Sequence, residues 1–234
     1  MIAENNILNI AYVNTCGQTK LNESKQLQIE AFAKYKSIDI LHLQETEVCD
    51  ETFKNCNFLS SNYNVITNNS NTGYGTSTLI KSELNEENLR LDTEGRVIVF
   101  DVGGVTLANV YLPSGTDSKS RNLREQYCAE TLPQLLLNRH PEGIIGGDWN
   151  AIIDKNDATK HQESKMSPSL LRLASQTGLT ALSPSIQLQD HSQGIMLTVG
   201  VKEQQGLIEL ITLAISASSQ LNTYHLPFLI TLLL

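Results

Sequence analysis

An α/β fold is predicted for this chain of 234 residues on three observations. Strand-like and helix-like segments alternate along most of its length. Three apolar strands end on side chains suited to a metal or a phosphate: Leu8–Asn14, Ile40–Glu45 and Ile144–Asn150. Apolar content of 40% and charged content of 18% describe an ordinary globule able to bury a sizeable core.

The elements follow in order. Ile7–Val13 reads as a strand, and Ser24–Lys36 as a helix with Leu27, Ala31, Phe32 and Tyr35 on one stripe. Ile38–Leu43 is a buried strand. Residues 50–72 are rich in Asn, Ser and Thr, which predicts loop around one short strand, Tyr63–Thr67. Ser77–Ile80, Val97–Val102 and Val105–Tyr111 read as strands, the last two joined in a hairpin through Gly103-Gly104. Ser118–Asn138 is a long amphipathic helix interrupted near Pro133. Gly143–Gly147 is the strand that delivers Asp148, and Ser167 caps a helix to Thr177 with Pro168 in its first turn. After Leu179 the character changes: Lys202 is the last basic residue apart from His225, and the chain ends in the apolar run Leu226–Leu234. Nothing there marks a linker, so residues 1–234 are expected to form one domain.

A net charge of −8 and a pI near 5.1 supply no global field for nucleic acid, so any DNA contact must rest on local patches. Cys16, Cys49, Cys56 and Cys128 form no C-x-x-C pair and no zinc spacing, and are expected as free thiols. Neither a signal peptide nor a membrane span is visible, which predicts an intracellular protein, nuclear or cytoplasmic, without a membrane partner.

Among the polar residues, Glu45 is the metal-ligand candidate, because Mg²⁺ is held by one or two carboxylates with phosphate and water. Asn14 is suited to bind phosphate or to orient a metal-bound water. Asp148 and Asn150 lie two residues apart, so an extended backbone points both the same way. The glycines before them leave room for a ligand or a backbone. Lys119, Arg121 and Arg124 open a helix and can contact phosphates or form a solvated face. His42, flanked by apolar residues in a strand, reads as a satisfied core histidine.

These segments resemble, in order, the endonuclease/exonuclease/phosphatase superfamily, and in particular the apurinic-like endonuclease domain of LINE-type retrotransposons. The resemblance runs over roughly residues 6–180. It is carried by the strand ending in Asn14, Leu43-Gln44-Glu45-Thr46, Gly73-Tyr74-Gly75-Thr76, Gly95-Arg96-Val97, Asn109-Val110-Tyr111-Leu112-Pro113 and Gly147-Asp148-Trp149-Asn150-Ala151. It implies two packed mixed β-sheets flanked by helices in a four-layer sandwich, the terminal strands being the part it does not specify. It further implies a Mg²⁺-dependent (or Mn²⁺-dependent) endonuclease that nicks DNA for target-primed reverse transcription, with a reverse transcriptase of the same element as partner. Asp148 and Asn150 would then position the attacking water and hold the scissile phosphate, and Tyr111 would reach the phosphate or the leaving oxygen.

The family also carries a Ser/Ala-Arg-Ile-Asp block and a terminal Ser-Asp-His, and neither occurs here. At those places stand Leu207-Ile208-Glu209-Leu210-Ile211 and Phe228-Leu229-Ile230-Thr231. With suitable synonymous codons, ATC GAA TTG ATC for Ile208–Ile211 and TTT CTG ATC ACA for Phe228–Thr231, the two stretches read as Arg-Ile-Asp and Ser-Asp-His from the third nucleotide of the first codon. A frameshift between Leu179 and Leu207 would account for both losses and would leave the expected activity impaired. The alternatives are a catalytically inactive DNA- or protein-binding remnant and another phosphoesterase of the superfamily.

Overall fold

The computed structural model describes residues 8–15, 22–49, 51–70, 75–153 and 165–182, with the backbone of three short strands at 197–199, 212–214 and 231–233. Two mixed sheets lie face to face. The first contains β1 (Ile10–Asn14), β2 (Ile40–Gln44), β3 (Tyr63–Asn69) and β4 (Gly75–Lys81) in the order β1-β2-β4-β3. The second contains β5 (Glu86–Leu91), β6 (Val97–Val102), β7 (Val105–Tyr111) and β8 (Gly143–Asp148) in sequence order. Strands β1 and β2 run parallel, as do β7 and β8, so each sheet presents two adjacent strand ends in one direction. Short strands extend these four-stranded cores. Strands β10 (Leu197–Val199) and β11 (Thr212–Ala214) continue the first sheet beyond β1, while β12 (Thr231–Leu233) and β9 (Thr180–Leu182) continue the second beyond β8.

Alternation explains the layers. Along β1, Ile10 and Tyr12 enter the core between the sheets, where Ile40, Ile80, Ile98, Phe100, Leu107 and Ile144 meet them. Ala11 and Val13 point the other way, onto α1 (Glu23–Tyr35) and α2 (Asn57–Asn62), through Ile29, Ala33 and Leu59. On the far side Val97, Val99, Ala108 and Val110 pack under α3 (Ser118–Gln126), α4 (Leu132–Leu135) and α5 (Pro168–Thr177). The inner strands are buried on both faces, which is why they read as apolar runs rather than alternating ones.

The stripe expected on α1 is displaced. Leu27 and Tyr35 are exposed, and the helix buries Ile29 and Ala33 instead. Both rows have helical spacing, and polar groups select between them. Gln26 accepts the Phe53 N–H at 3.1 Å and Glu30 accepts Phe58 N–H at 3.1 Å, so both must face the loop and α2. Strand β5 and helix α2 were not anticipated, β5 because its EENLRL sequence is an exposed edge without apolar alternation. The long helix is broken upstream of Pro133, at a π-helical turn over Tyr127–Thr131 in which Leu132 N–H bonds Tyr127 O. Proline has no N–H for the carbonyl four residues back, and the widened turn absorbs that gap. The hairpin at Gly103-Gly104 forms as expected, with both glycines at positive φ, and Ser167 caps α5 by accepting from Leu170 N–H. Strand β12 falls inside the apolar run Leu226–Leu234 and β11 elsewhere in the atypical end, whereas Leu207–Ile211 and Phe228–Ile230 lie outside the described residues.

Candidate active site at the joined strand ends

Four strands deliver the site. Asn14 closes β1, Glu45 follows β2, and Tyr111 and Asp148 close β7 and β8 as a paired register. Sheet-on-sheet packing then brings the two pairs together. Asn14 Nδ2 donates to Asp148 Oδ2 at 2.7 Å and to Glu45 Oε1 at 3.2 Å, so one amide ties carboxylates 103 residues apart in sequence. The Glu45 carboxylate lies close enough to the Tyr111 phenol for its charge to raise the phenol pKa. Asn150 N–H donates to Asp148 Oδ1 at 3.0 Å, and its side-chain amide donates to Leu112 O at 3.0 Å. The structure thus gathers Asn14, Glu45, Tyr111, Asp148 and Asn150 at one end of the sandwich.

Backbone geometry is special at this end. Glu45 (φ 56°) and Asn150 (φ 47°) both adopt the left-handed conformation, which costs free energy for a residue other than glycine and so has to be over-determined by its surroundings. Gly147 has φ 133°, and a Cβ there would stand 1.9 Å from Val110 O. A Cβ on Gly146 would meet the Tyr12 ring at 2.5 Å. The two glycines therefore admit neighbouring chain, the β7 backbone and a core ring, rather than a ligand.

Electrostatics separates the two carboxylates. Asp148 is buried, and desolvation pushes its pKa up to about 6; hydrogen bonds from Asn150 and Asn14 oppose the shift, and the Glu45 charge adds to it. Glu45 is half-buried. Tyr111 is held above the ordinary phenol range, first by burial and then by Glu45 and Asp148. Two cations missed by the sequence reading are near. The Arg96 guanidinium lies 5.3 Å from the Tyr111 ring centroid, and the Lys165 charge lowers the Asp148 pKa. Arg96 stood in a family motif, yet its partner ring is fifteen residues away and visible only in the folded sheet.

Lys119 and Arg121 are exposed on α3, as a surface patch requires. Arg124 is not: it is 2% exposed and its Nη1 donates to Pro113 O at 2.7 Å and Gly115 O at 2.8 Å. It braces the loop after β7, and the expected phosphate contact is corrected accordingly. His42 is fully buried against Tyr12, with Nδ1 2.9 Å from Thr78 Oγ1. Burial lowers its pKa to about 3, in keeping with a neutral core residue.

The donor set suits a hard cation. Glu45 and Asp148 supply carboxylate oxygens, and an Asn14 amide turned by a half-rotation presents Oδ1 in place of Nδ2. Among the described residues no group of three or more His, Cys, Asp or Glu side chains gathers to hold a metal, so any ion would rest on this two-carboxylate set. A surface hollow of about 470 Å³ along Glu23, Leu27 and Ala31 shares no lining residue with the site and is lined by α1 alone.

No protein-family model and no curated protein matches the chain. Solved structures do. An AP endonuclease from Archaeoglobus fulgidus is 21% identical, over 77% of this chain and 75% of that one, with a TM-score of 0.59. A 3'-5' exonuclease from Neisseria meningitidis is 20% identical, over 79% and 77%, with a TM-score of 0.62. A truncated TDP2 from Caenorhabditis elegans is 18% identical, over 95% and 82%, with a TM-score of 0.51. The fold is of the endonuclease/exonuclease/phosphatase type. At these identities the likeness concerns the fold, and the chemistry rests on this chain's own residues. Among the described residues no helix is long and apolar enough to cross a membrane.

Proposed function

We propose that this chain is a phosphodiesterase-type endonuclease domain that takes DNA, derived from a LINE-type element and impaired by its altered end. The observation that carries the reading is the convergence of Glu45 and Asp148 on Asn14, beneath Tyr111 and beside Asn150. Phosphodiester hydrolysis needs a positioned water, neutralised phosphate charge and a stabilised leaving oxygen more than covalent chemistry. Asp148, its carboxylate oriented by Asn14 and Asn150, accepts a proton from the attacking water. Asn150 and Tyr111 donate hydrogen bonds to phosphate oxygens. Glu45 and Asn14 would hold Mg²⁺ (or Mn²⁺), whose charge would neutralise the phosphate. The exposed Lys119 and Arg121 contact the backbone of the duplex. One of the similar structures, a 3' phosphatase from Neisseria, is bound to a product DNA hairpin, in line with a DNA ligand.

Supercoiled plasmid and an abasic duplex, each incubated with the protein and Mg²⁺, test the reading. Slow nicking removed by Asp148→Ala is the expected result. Cleavage of an abasic strand alone, or phosphate release from a 3' end alone, would assign a different activity of the superfamily. A second reading, an inactive binding remnant, is favoured by the missing Ser-Asp-His; it predicts DNA binding with no product.

A further inference from the structure

Asp92 has no place in the chemistry above, yet its carboxylate is among the most heavily used polar groups in the molecule. It is 9% exposed and accepts from the N–H groups of Glu94, Arg96 and Val97 at 3.1, 2.8 and 2.7 Å. Asn68 Nδ2 donates to it at 2.8 Å and the Tyr127 hydroxyl at 2.8 Å. The carboxylate thus folds the turn between β5 and β6 around itself and ties that turn to β3 and to the π-helical segment. Gly95 inside the turn has φ 75°, and a Cβ there would stand 2.4 Å from Ser70 N, so only glycine fits where the turn packs on the end of β3. Its last residue is Arg96. That side chain is half-buried, stacks over the Tyr111 ring at 5.3 Å and donates from Nη1 to Tyr111 O at 3.4 Å.

We propose that Asp92 is a positioning residue that aims Arg96 over Tyr111, and that guanidinium and phenol together form the phosphate-recognition element of this site. The inference rests on the phosphodiesterase reading and deepens it. In a protein of net charge −8, a phosphate approaching Glu45 and Asp148 needs a fixed cation close by. A planar guanidinium held by a rigid turn supplies charge and directional donors without losing rotamer freedom on binding. Asp92 touches no ligand and acts through Arg96 alone.

Trp149 is the sole tryptophan and stands between Asp148 and Asn150, so its fluorescence reads binding without turnover. The full chain is titrated with Mg²⁺ and then with a short DNA duplex. Arg96→Ala is expected to weaken duplex binding about tenfold, with Mg²⁺ affinity unchanged. Asp92→Asn is expected to weaken it by a similar factor, and Asp92→Asn/Arg96→Ala by no more than Arg96→Ala alone. Tyr127→Phe removes only one bond to Asp92 and serves if Asp92→Asn fails to fold; combined with Arg96→Ala it too should add nothing. Additive losses would overturn the coupling of Asp92 to Arg96, and wild-type duplex affinity in Arg96→Ala would overturn the recognition element while leaving the phosphodiesterase reading intact. A wild-type chain that binds neither Mg²⁺ nor duplex would overturn both.

Discussion

The two carboxylates of the site occupy opposite environments. Asp148 closes a central strand, is 3% exposed and carries a pKa raised to about 6 by burial. Glu45 sits one residue past its strand, half-exposed, on a left-handed backbone. Burial makes the first a group that can hold and release a proton near neutral pH, while access makes the second fit to meet a cation from solvent. In the proposed reaction, depth would thus separate proton chemistry at Asp148 from charge neutralisation at Glu45.

The largest effect should come from completing the site. If coding DNA reads Arg-Ile-Asp and Ser-Asp-His in the alternative frame, a frame-repaired protein is expected to nick plasmid at least about a hundredfold faster than the present chain. Glu45→Ala in that repaired protein should abolish the gain. Other codons at those places would sink the frameshift, and equal rates before and after repair would sink the account of the missing end.

Gly147→Ala tests the buried side of the comparison. With Val110 O 1.9 Å from the new methyl group and φ at 133°, the substitution is expected to destabilise the fold by about 3 kcal/mol or more. Denaturant melts should show the loss, whereas Gly104→Ala, with nothing within 4 Å of its Cβ, should cost only the strain of a positive φ. Equal losses at the two glycines would mean that steric closure at the Asp148 strand is not what makes Gly147 necessary.

Asp148→Asn sharpens the contrast through pH. A carboxyl whose folded pKa is raised keeps its proton longer in the folded than in the unfolded chain. Its contribution therefore falls as pH rises from 3.8 to about 6, and the full cost is present above that window. In a metal chelator, Asp148→Asn should be more stable than wild type near about pH 7.5, by roughly 3 kcal/mol at most, and equal to it near about pH 4. Added Mg²⁺ should narrow the gap by stabilising wild type alone. Wild type being the more stable at high pH without metal would refute the buried-carboxylate picture.

The smallest effect belongs to the exposed cations. Lys119→Ala and Arg121→Ala should each weaken duplex binding a few-fold, with a shallower salt dependence, and leave thermal stability unchanged. Arg124→Ala should do the reverse, lowering stability because two loop carbonyls lose their donor. A pure binding defect in Arg124→Ala would reinstate it as a phosphate contact.

Local pattern was enough for much of this protein. Period-two and apolar-run signals placed Val97–Val102 and Val105–Tyr111 as they stand, because a strand buried on both faces has few other ways to be written. Strand-end Asn14, Glu45, Tyr111 and Asp148 were legible for the same reason: each closes or follows an apolar strand. Other features were settled only by tertiary packing. The face of α1 turned on Gln26 and Glu30 meeting backbone donors of another segment, information absent from the helix's own periodicity. Arg124 looked like a surface cation, yet the loop after β7 needed its guanidinium inside. The stacking of Arg96 on Tyr111, the joining of Glu45 to Asp148 through Asn14 and the raised pKa of Asp148 all arise from long-range burial. Sequence determines which chemistry each strand can carry. Only sheet-on-sheet packing decides which carriers meet and how much water each retains, because desolvation and hydrogen-bond distance depend on groups brought together from distant parts of the chain.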